Sequence, residues 1–289
     1  MSNIIEQPDI DKIVEQYRID KMLCTYKSDI DIIDLTYRRL SKLPDLTRFI
    51  KLKTLNCSHN QLTELHNLPE SLTELNCNFN QLTKLHNLPE SLSKLDCYHN
   101  KLTELNNLPS TLTELQCGGN QLLELSNLPK TLTTLNCYSN KLIELSNLTD
   151  TLIKLGCSHN KLAELSNLPK KLTFLNCSDN ELTELSNLPK TLDYLNCSKN
   201  QLIKLTNLPE SLTSLSCNNN QLITLSNLPN ILRYFNCSNN KLLFTELSKF
   251  KKLDKLLKVI FLYSVKKRCL KYKEELIIKT CHPSRLSFV

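Results

Sequence analysis

The residues of this chain best suited to chemistry are its cysteines and histidines, and they recur at fixed intervals. Three Cys-x-His pairs stand out: Cys57 with His59, Cys97 with His99, and Cys157 with His159. Thiolate and imidazole are donors that zinc accepts. The histidine, however, accompanies only three of ten equivalent cysteines and never in consecutive copies, so no metal site is expected. His66 and His86, beside Asn67 and Asn87, read as solvated surface. No serine, histidine and carboxylate set falls at a recognisable local spacing. A glycine-rich phosphate loop and a carboxylate pair inside a prospective pocket are also missing from the sequence. The expectation is a non-enzyme without catalytic residues or cofactors.

The cysteines belong to a twenty-residue unit, L-x-x-L-x-C-x-x-N-x-L-x-x-L-x-N-L-P-x-x, repeated from Leu52 to Asn240. Leucine opens every copy from Leu52 to Leu232. Cysteine recurs at Cys57, Cys77, Cys97, Cys117, Cys137, Cys157, Cys177, Cys197, Cys217 and Cys237, with asparagine three residues later from Asn60 to Asn240. Such a period marks a solenoid, because one unit cannot bury its apolar face alone. In L-x-x-L-x-C the alternation sends Leu55 and Cys57 one way and Thr54, Asn56 and Ser58 the other, as in a short strand with one buried face. Equal periods let these strands pair in register as a parallel sheet. The asparagine after each strand can donate to and accept from backbone groups that the bend leaves unpaired, so stacked copies form a ladder. Proline in Asn-Leu-Pro fixes its own φ and keeps the preceding leucine out of the helical region; one copy has Thr149 instead. Little chain remains for the return side, which is expected to be extended or polyproline-like.

Thirteen cysteines could suggest a disulfide framework. Ten of them instead form an inward column across parallel strands about 4.8 Å apart. Disulfide β-carbons need to approach to about 3.8 Å, so these thiols are expected to fill the core as small hydrophobes.

The pattern L-x-x-L-x-C-x-x-N-x-L resembles the leucine-rich-repeat signature, with cysteine in the third inward slot. The joint between copies, read at Leu68, Pro69, Ser71, Leu72, Thr73 and Leu75, resembles the short repeats of bacterial effector proteins. It is also similar to leucine-rich-repeat proteins of giant DNA viruses of amoebae. The resemblance implies a leucine-rich-repeat solenoid of the α/β class, mostly short parallel strands with extended return segments. Effectors of this style often carry a ubiquitin-ligase domain with a Cys-x-Asp motif. Neither Cys269-Leu270-Lys271 nor Cys281-His282-Pro283 matches it, so that activity does not carry over.

The ends of the chain differ from its middle. Residues 1–29 place Ile4, Ile5, Ile10, Ile13, Val14, Tyr17, Met22 and Leu23 mostly at spacings of three and four, with Pro8-Asp9 at a helix start. This segment is expected to be a helical cap over the apolar solenoid end. Residues 30–245 hold a worn first coil, with Arg38 in the asparagine slot, and ten regular coils. Residues 246–289 place Leu247, Phe250, Leu253, Leu257, Ile260 and Phe261 at helical spacing with lysines between them. The net charge of +7 is concentrated there, since residues 245–289 carry 12 basic and 4 acidic groups. This basic tail is expected to be a second helical cap. The alternative is an adaptor whose tail docks on anionic lipid or nucleic acid. The acidic, polar start does not resemble a signal peptide. No apolar run approaches a bilayer-spanning length. A cytoplasmic monomer, in a host cytoplasm if the source is viral, is therefore expected.

The remaining surface is the outward face of the sheet, written by the third, fifth, seventh and eighth residues of each coil. Phe79, Tyr98, Tyr138, Phe174, Tyr194 and Tyr234 collect there, beside a polar strip of Asn56, Asn76, Asp96, Gln116, Asn136, Asn176, Asn196 and Asn236. Tyrosine beside amides suits protein recognition: large contact area, few rotors and a polar tip. The expected function is a protein-interaction scaffold whose partner contacts these six rings.

Overall fold

The computed structural model describes residues 7–225 and 228–242. The chain divides into two compact units, Met1–Leu162 and Ala163–Val289. In the first, the seven strands Ile32–Asp34, Thr54–Asn56, Glu74–Asn76, Lys94–Asp96, Glu114–Gln116, Thr134–Asn136 and Lys154–Gly156 form a parallel sheet in sequence order. In the second, Phe174–Asn176, Tyr194–Asn196, Ser214–Ser216 and Tyr234–Asn236 do the same. A separate two-residue pair, Lys204–Leu205 with Thr224–Leu225, lies on the return side. The strands pair like with like: Leu55 opposes Leu75, and Asn56 opposes Asn76. In each unit the coils thus stack as a parallel β-solenoid.

Burial follows the repeat letter by letter. The opening leucine, the strand leucine and the cysteine are buried in every coil, with Leu52, Leu55, Cys57 and Leu62 at 0% exposure. Stacking gives each apolar position an identical neighbour above and below, so one residue type solves the same packing problem repeatedly. Phe235 takes the leucine slot of the last coil and is also buried. Ser58 departs from the expected alternation. It is buried, as are Ser158, Ser178 and Ser198, because the chain bends inward immediately after the strand.

The bend is held by the asparagine ladder. Asn80 Nδ2 donates to its own Cys77 carbonyl and to Cys57 of the preceding coil, both at 3.0 Å, while its Oδ1 accepts from Leu62 N at 3.0 Å. Asn100, Asn120, Asn140 and Asn160 repeat this set in the first unit. Asn200, Asn220 and Asn240 repeat it in the second. At the worn first coil Asn60 Oδ1 accepts from both Arg38 N and Leu40 N.

On the return side no described coil contains a helix. The proline carbonyl accepts from the amide three residues on, as in Leu72 N to Pro69 at 3.0 Å, and Thr149 makes the same turn with Leu152. A second ladder uses the joint hydroxyls. Ser71 Oγ donates to the Leu52 carbonyl at 2.8 Å, and Thr131 and Ser211 reach Leu112 and Leu192 likewise. The asparagine two residues before the proline slot adopts positive φ at Asn67, Asn87 and Asn107, and again at Asn127, Asn147, Asn167, Asn187 and Asn207. Asparagine tolerates this left-handed region better than other side chains.

Helix α1 spans Gln7–Cys24 and lies near the N-terminus. It buries Ile19 and Leu23 but leaves Ile13 and Tyr17 exposed. The Arg48 guanidinium donates to the carbonyls of Leu23, in the last turn, and Tyr26, just past it, and so ties the helix end to the coil that carries Arg48. The basic helical segment expected over 246–289 lies outside the described residues.

Candidate functional site

The strand holds third and fifth residues outward, and the bend presents the seventh and eighth. The eighth residue adopts positive φ in each described coil, from Tyr37 and His59 to Asn239. That geometry tips the side chain toward its counterpart in the next coil. In the first unit Tyr37 and His59 stack at 4.2 Å, His59 and Phe79 at 4.4 Å, and Phe79 and His99 at 4.8 Å. Four consecutive coils thus build one column of rings.

Tyr98, at a seventh position, meets Phe79 edge-on at 5.2 Å and Tyr138 at 5.3 Å. The latter contact skips a coil, since Tyr98 and Tyr138 lie two strand spacings apart, about 9.5 Å at the backbone. The intervening coil carries Gly118 and Gly119. A β-carbon at Gly118 would lie 2.7 Å from the Tyr138 ring, and one at Gly119 would lie 2.9 Å from the Tyr98 ring. The glycine pair therefore makes the floor over which the two tyrosines lean together. Burial first, then the Tyr98 hydroxyl and the Asp96 charge, push the Tyr138 phenol above its ordinary pKa.

Of the six rings expected on this surface, Phe79, Tyr98 and Tyr138 form one cluster in the first unit. In the second, Phe174 and Tyr194 stack at 4.5 Å with their planes 7° apart. Tyr234 is exposed and stands apart from Tyr194, because Ser214 occupies the strand between them. His59 and His99 belong to the ring column, a stacking role that their Cys-x-His spacing did not suggest. The sequence signal was present: rings fill one slot at Tyr37, His59, Phe79 and His99.

The polar strip is less free than its position implied. Asn56 Oδ1 accepts from Ser58 N at 3.1 Å, Asn76 Oδ1 from Asn78 N at 3.1 Å, and Asp96 Oδ1 from Tyr98 N at 3.1 Å. Asn176, Asn196 and Asn236 do the same. These side chains brace the bend before they face any ligand. Gly156 stands in the same slot without a side chain to do so.

Around the strip of the first unit, a shallow hollow of about 360 Å³ is lined by Glu74, Lys94, Asp96, Glu114 and Gln116. Lys94 Nζ lies 3.1 Å from Glu74, and this ion pair raises the lysine above its ordinary pKa. His66 pairs with Glu64 at 2.7 Å on the return side, both half-exposed.

Cysteine and histidine part ways in the Cys-x-His pairs. Cys57 points into the core while His59 stands in the ring column. Among the described residues no cluster of three histidine, cysteine or carboxylate groups could hold a metal ion. Burial pushes the thiols of Cys57, Cys137 and Cys177 up to about 12. A thiol held protonated in the core is neither a ligand nor a nucleophile at neutral pH. No helix among the described residues is long and apolar enough to cross a membrane.

No protein-family model matches the sequence, and no curated protein matches it. Solved structures do match. YopM from Yersinia enterocolitica WA-314 is 36% identical, with a TM-score of 0.71 over 75% of this chain and 48% of that one. YopM from Yersinia pestis, described as a leucine-rich effector protein, is 33% identical, with a TM-score of 0.65 over 71% of this chain and 65% of that one. The chain thus spans less than two thirds of the length of either. The APL1 leucine-rich repeat domain, 22% identical with a TM-score of 0.64 over 75% of this chain and 64% of its own, shares the fold. In-register leucine and cysteine columns, the asparagine ladder and these structural likenesses together give the chain a leucine-rich-repeat fold.

Proposed function

We propose that the chain is a non-catalytic protein-interaction scaffold that binds its partner on the outward sheet face. One observation carries this reading: the contiguous ring cluster of Phe79, Tyr98 and Tyr138, beside an open hollow and held by a glycine floor. Large rings on a rigid backbone supply contact area without ordering cost, which is how hot spots arise. The likeness to a leucine-rich effector protein supports the same reading. Helix α1, with Ile19 and Leu23 buried, serves in this reading as the N-terminal cap.

Replacing Tyr98, Tyr138 and Tyr194 singly by alanine tests it. A partner captured from lysate, then identified and purified, is expected to lose about 2 kcal/mol of affinity, roughly thirtyfold, at the strongest position. Circular dichroism and melting should stay near wild type. Equal affinity for all three variants would remove the aromatic surface from the interface.

A further inference from the structure

The hollow and the tyrosine pair share a chemistry that the rest of the sheet face lacks. In the regular coils the fifth position carries asparagine, glutamine, glycine or serine, and Asp96 alone carries a carboxylate. Its turn bond to Tyr98 N is 3.1 Å, the same length as those made by Asn56 and Asn76. The bend therefore does not need the charge. Glu74 and Glu114 flank Lys94 in register on the same face, so three carboxylates face one ammonium. Beside Asp96 stand Tyr98 and Tyr138.

A further observation points to a missing donor. Asn78 Nδ2 donates to Asp96 Oδ2 at 3.0 Å. Asn78 Oδ1 is buried and is the one such side-chain atom without a hydrogen-bond partner among the described residues. An unsatisfied acceptor thus belongs to the very amide that bonds the Asp96 carboxylate, and an unpaired buried acceptor is costly until the packing around it opens to a donor.

Resting on the proposed interaction surface, we infer that this site receives an arginine side chain from a segment of the partner protein. A guanidinium stacks on tyrosine faces and donates in a fixed fork to a carboxylate, whereas an ammonium is a compact, strongly hydrated charge that cannot stack. The occupant sits between the Tyr98 and Tyr138 rings and the Asp96 carboxylate, with Glu74 and Glu114 adding attraction. The partner segment is basic. Its binding runs against the net charge of +7 on the chain, so local complementarity rather than overall charge brings it in.

The full chain is titrated calorimetrically with blocked glycine–serine peptides carrying arginine, lysine or glutamate. The arginine peptide should bind, more weakly as salt rises, the lysine peptide several-fold more weakly, and the glutamate peptide not at all. Asp96→Asn keeps the turn acceptor for Tyr98 N and removes the charge, and the Asn78 amide can turn over so that its Oδ1 accepts from the new NH2. The substitution should lower arginine-peptide affinity about tenfold, the scale of one lost charge-assisted contact, with an unchanged melting midpoint. Glu114→Gln, on the strand surface, provides the same test should Asp96→Asn melt early. Equal binding of lysine and arginine peptides, no arginine-peptide binding, or undiminished affinity after removing the charge overturns the inference. The identified partner separates the two readings. If alanine at Tyr98 or Tyr138 abolishes its binding while Asp96→Asn leaves it intact, the arginine site falls and the interaction surface stands. If the tyrosine variants bind it fully, both fall.

Discussion

The asparagine after each strand does more than any other single residue to define a coil. Its amide bridges two coils while its oxygen takes a third backbone group, as Asn140 shows with Cys117, Cys137 and Leu122. Removing it strands three polar groups in a bend that water reaches poorly. Asn140→Ala should therefore lower stability by about 1–3 kcal/mol, read as a shift of the denaturant midpoint. An unaltered midpoint would mean that water replaces the ladder at no cost. This ladder was legible in the sequence because an amide offers two donors and an acceptor at one spot, more than a hydroxyl or a carboxylate can. The asparagine of Asn-Leu-Pro was not. Proline drew attention to its own φ and to the leucine before it, whereas the residue needing explanation was Asn67, held at φ 48°. The hydroxyl ladder through Ser71 and Thr131 was hidden for a similar reason. Serine and threonine suit many loop positions, and a partner nineteen residues away is not visible locally.

At the scale of elements, the three-residue strand is the rule and the glycine coil is the exception. Nine non-glycine residues occupy the eighth slot of the regular coils at positive φ, from His59 to Asn239, so left-handed backbone alone does not demand Gly119. The demand comes from the Tyr98 ring, 2.9 Å from where a β-carbon would sit. Gly119→Ala should cost about 1–2 kcal/mol, in the range of small overpacking penalties, and should alter the near-ultraviolet signal of the tyrosines. In a double-mutant cycle with Tyr98→Ala the ring's share of the cost should vanish, while the strain of alanine at φ 62° remains. An undiminished cost without the ring would assign all of it to the backbone. The strands and extended return segments followed from period and proline spacing. The ring contacts did not, because Tyr98 and Tyr138 touch across a coil that contributes no side chain.

Over the whole molecule, ten thiols sit in the core at nearly zero exposure. Burial raises Cys57, Cys137 and Cys177 to about 12, above the value of about 8.5 expected in an unfolded chain. A raised acid favours the folded state fully below the unfolded value. Between the two values the unfolded chain has lost protons that the folded chain retains, so stability falls as pH rises. Each thiol can contribute up to about 1.4 kcal/mol per pH unit in that window. From neutral pH to about pH 8.5 the thiols should leave melting unchanged, and it should fall steeply toward pH 12. Equal midpoints at pH 8 and pH 11 would contradict a buried thiol column. By itself the sequence determined what stacking repeats in every copy: the period, the buried leucines and cysteines, the parallel register and the amide at each bend. Inward positions meet the same neighbours in each coil, so selection of residue type is periodic and can be read. Only the tertiary structure decided which outward residues meet. It gathered Phe79, Tyr98 and Tyr138 over a glycine floor and set Tyr234 apart behind Ser214. Outward contacts depend on how side chains lean across neighbouring coils, and no period encodes that.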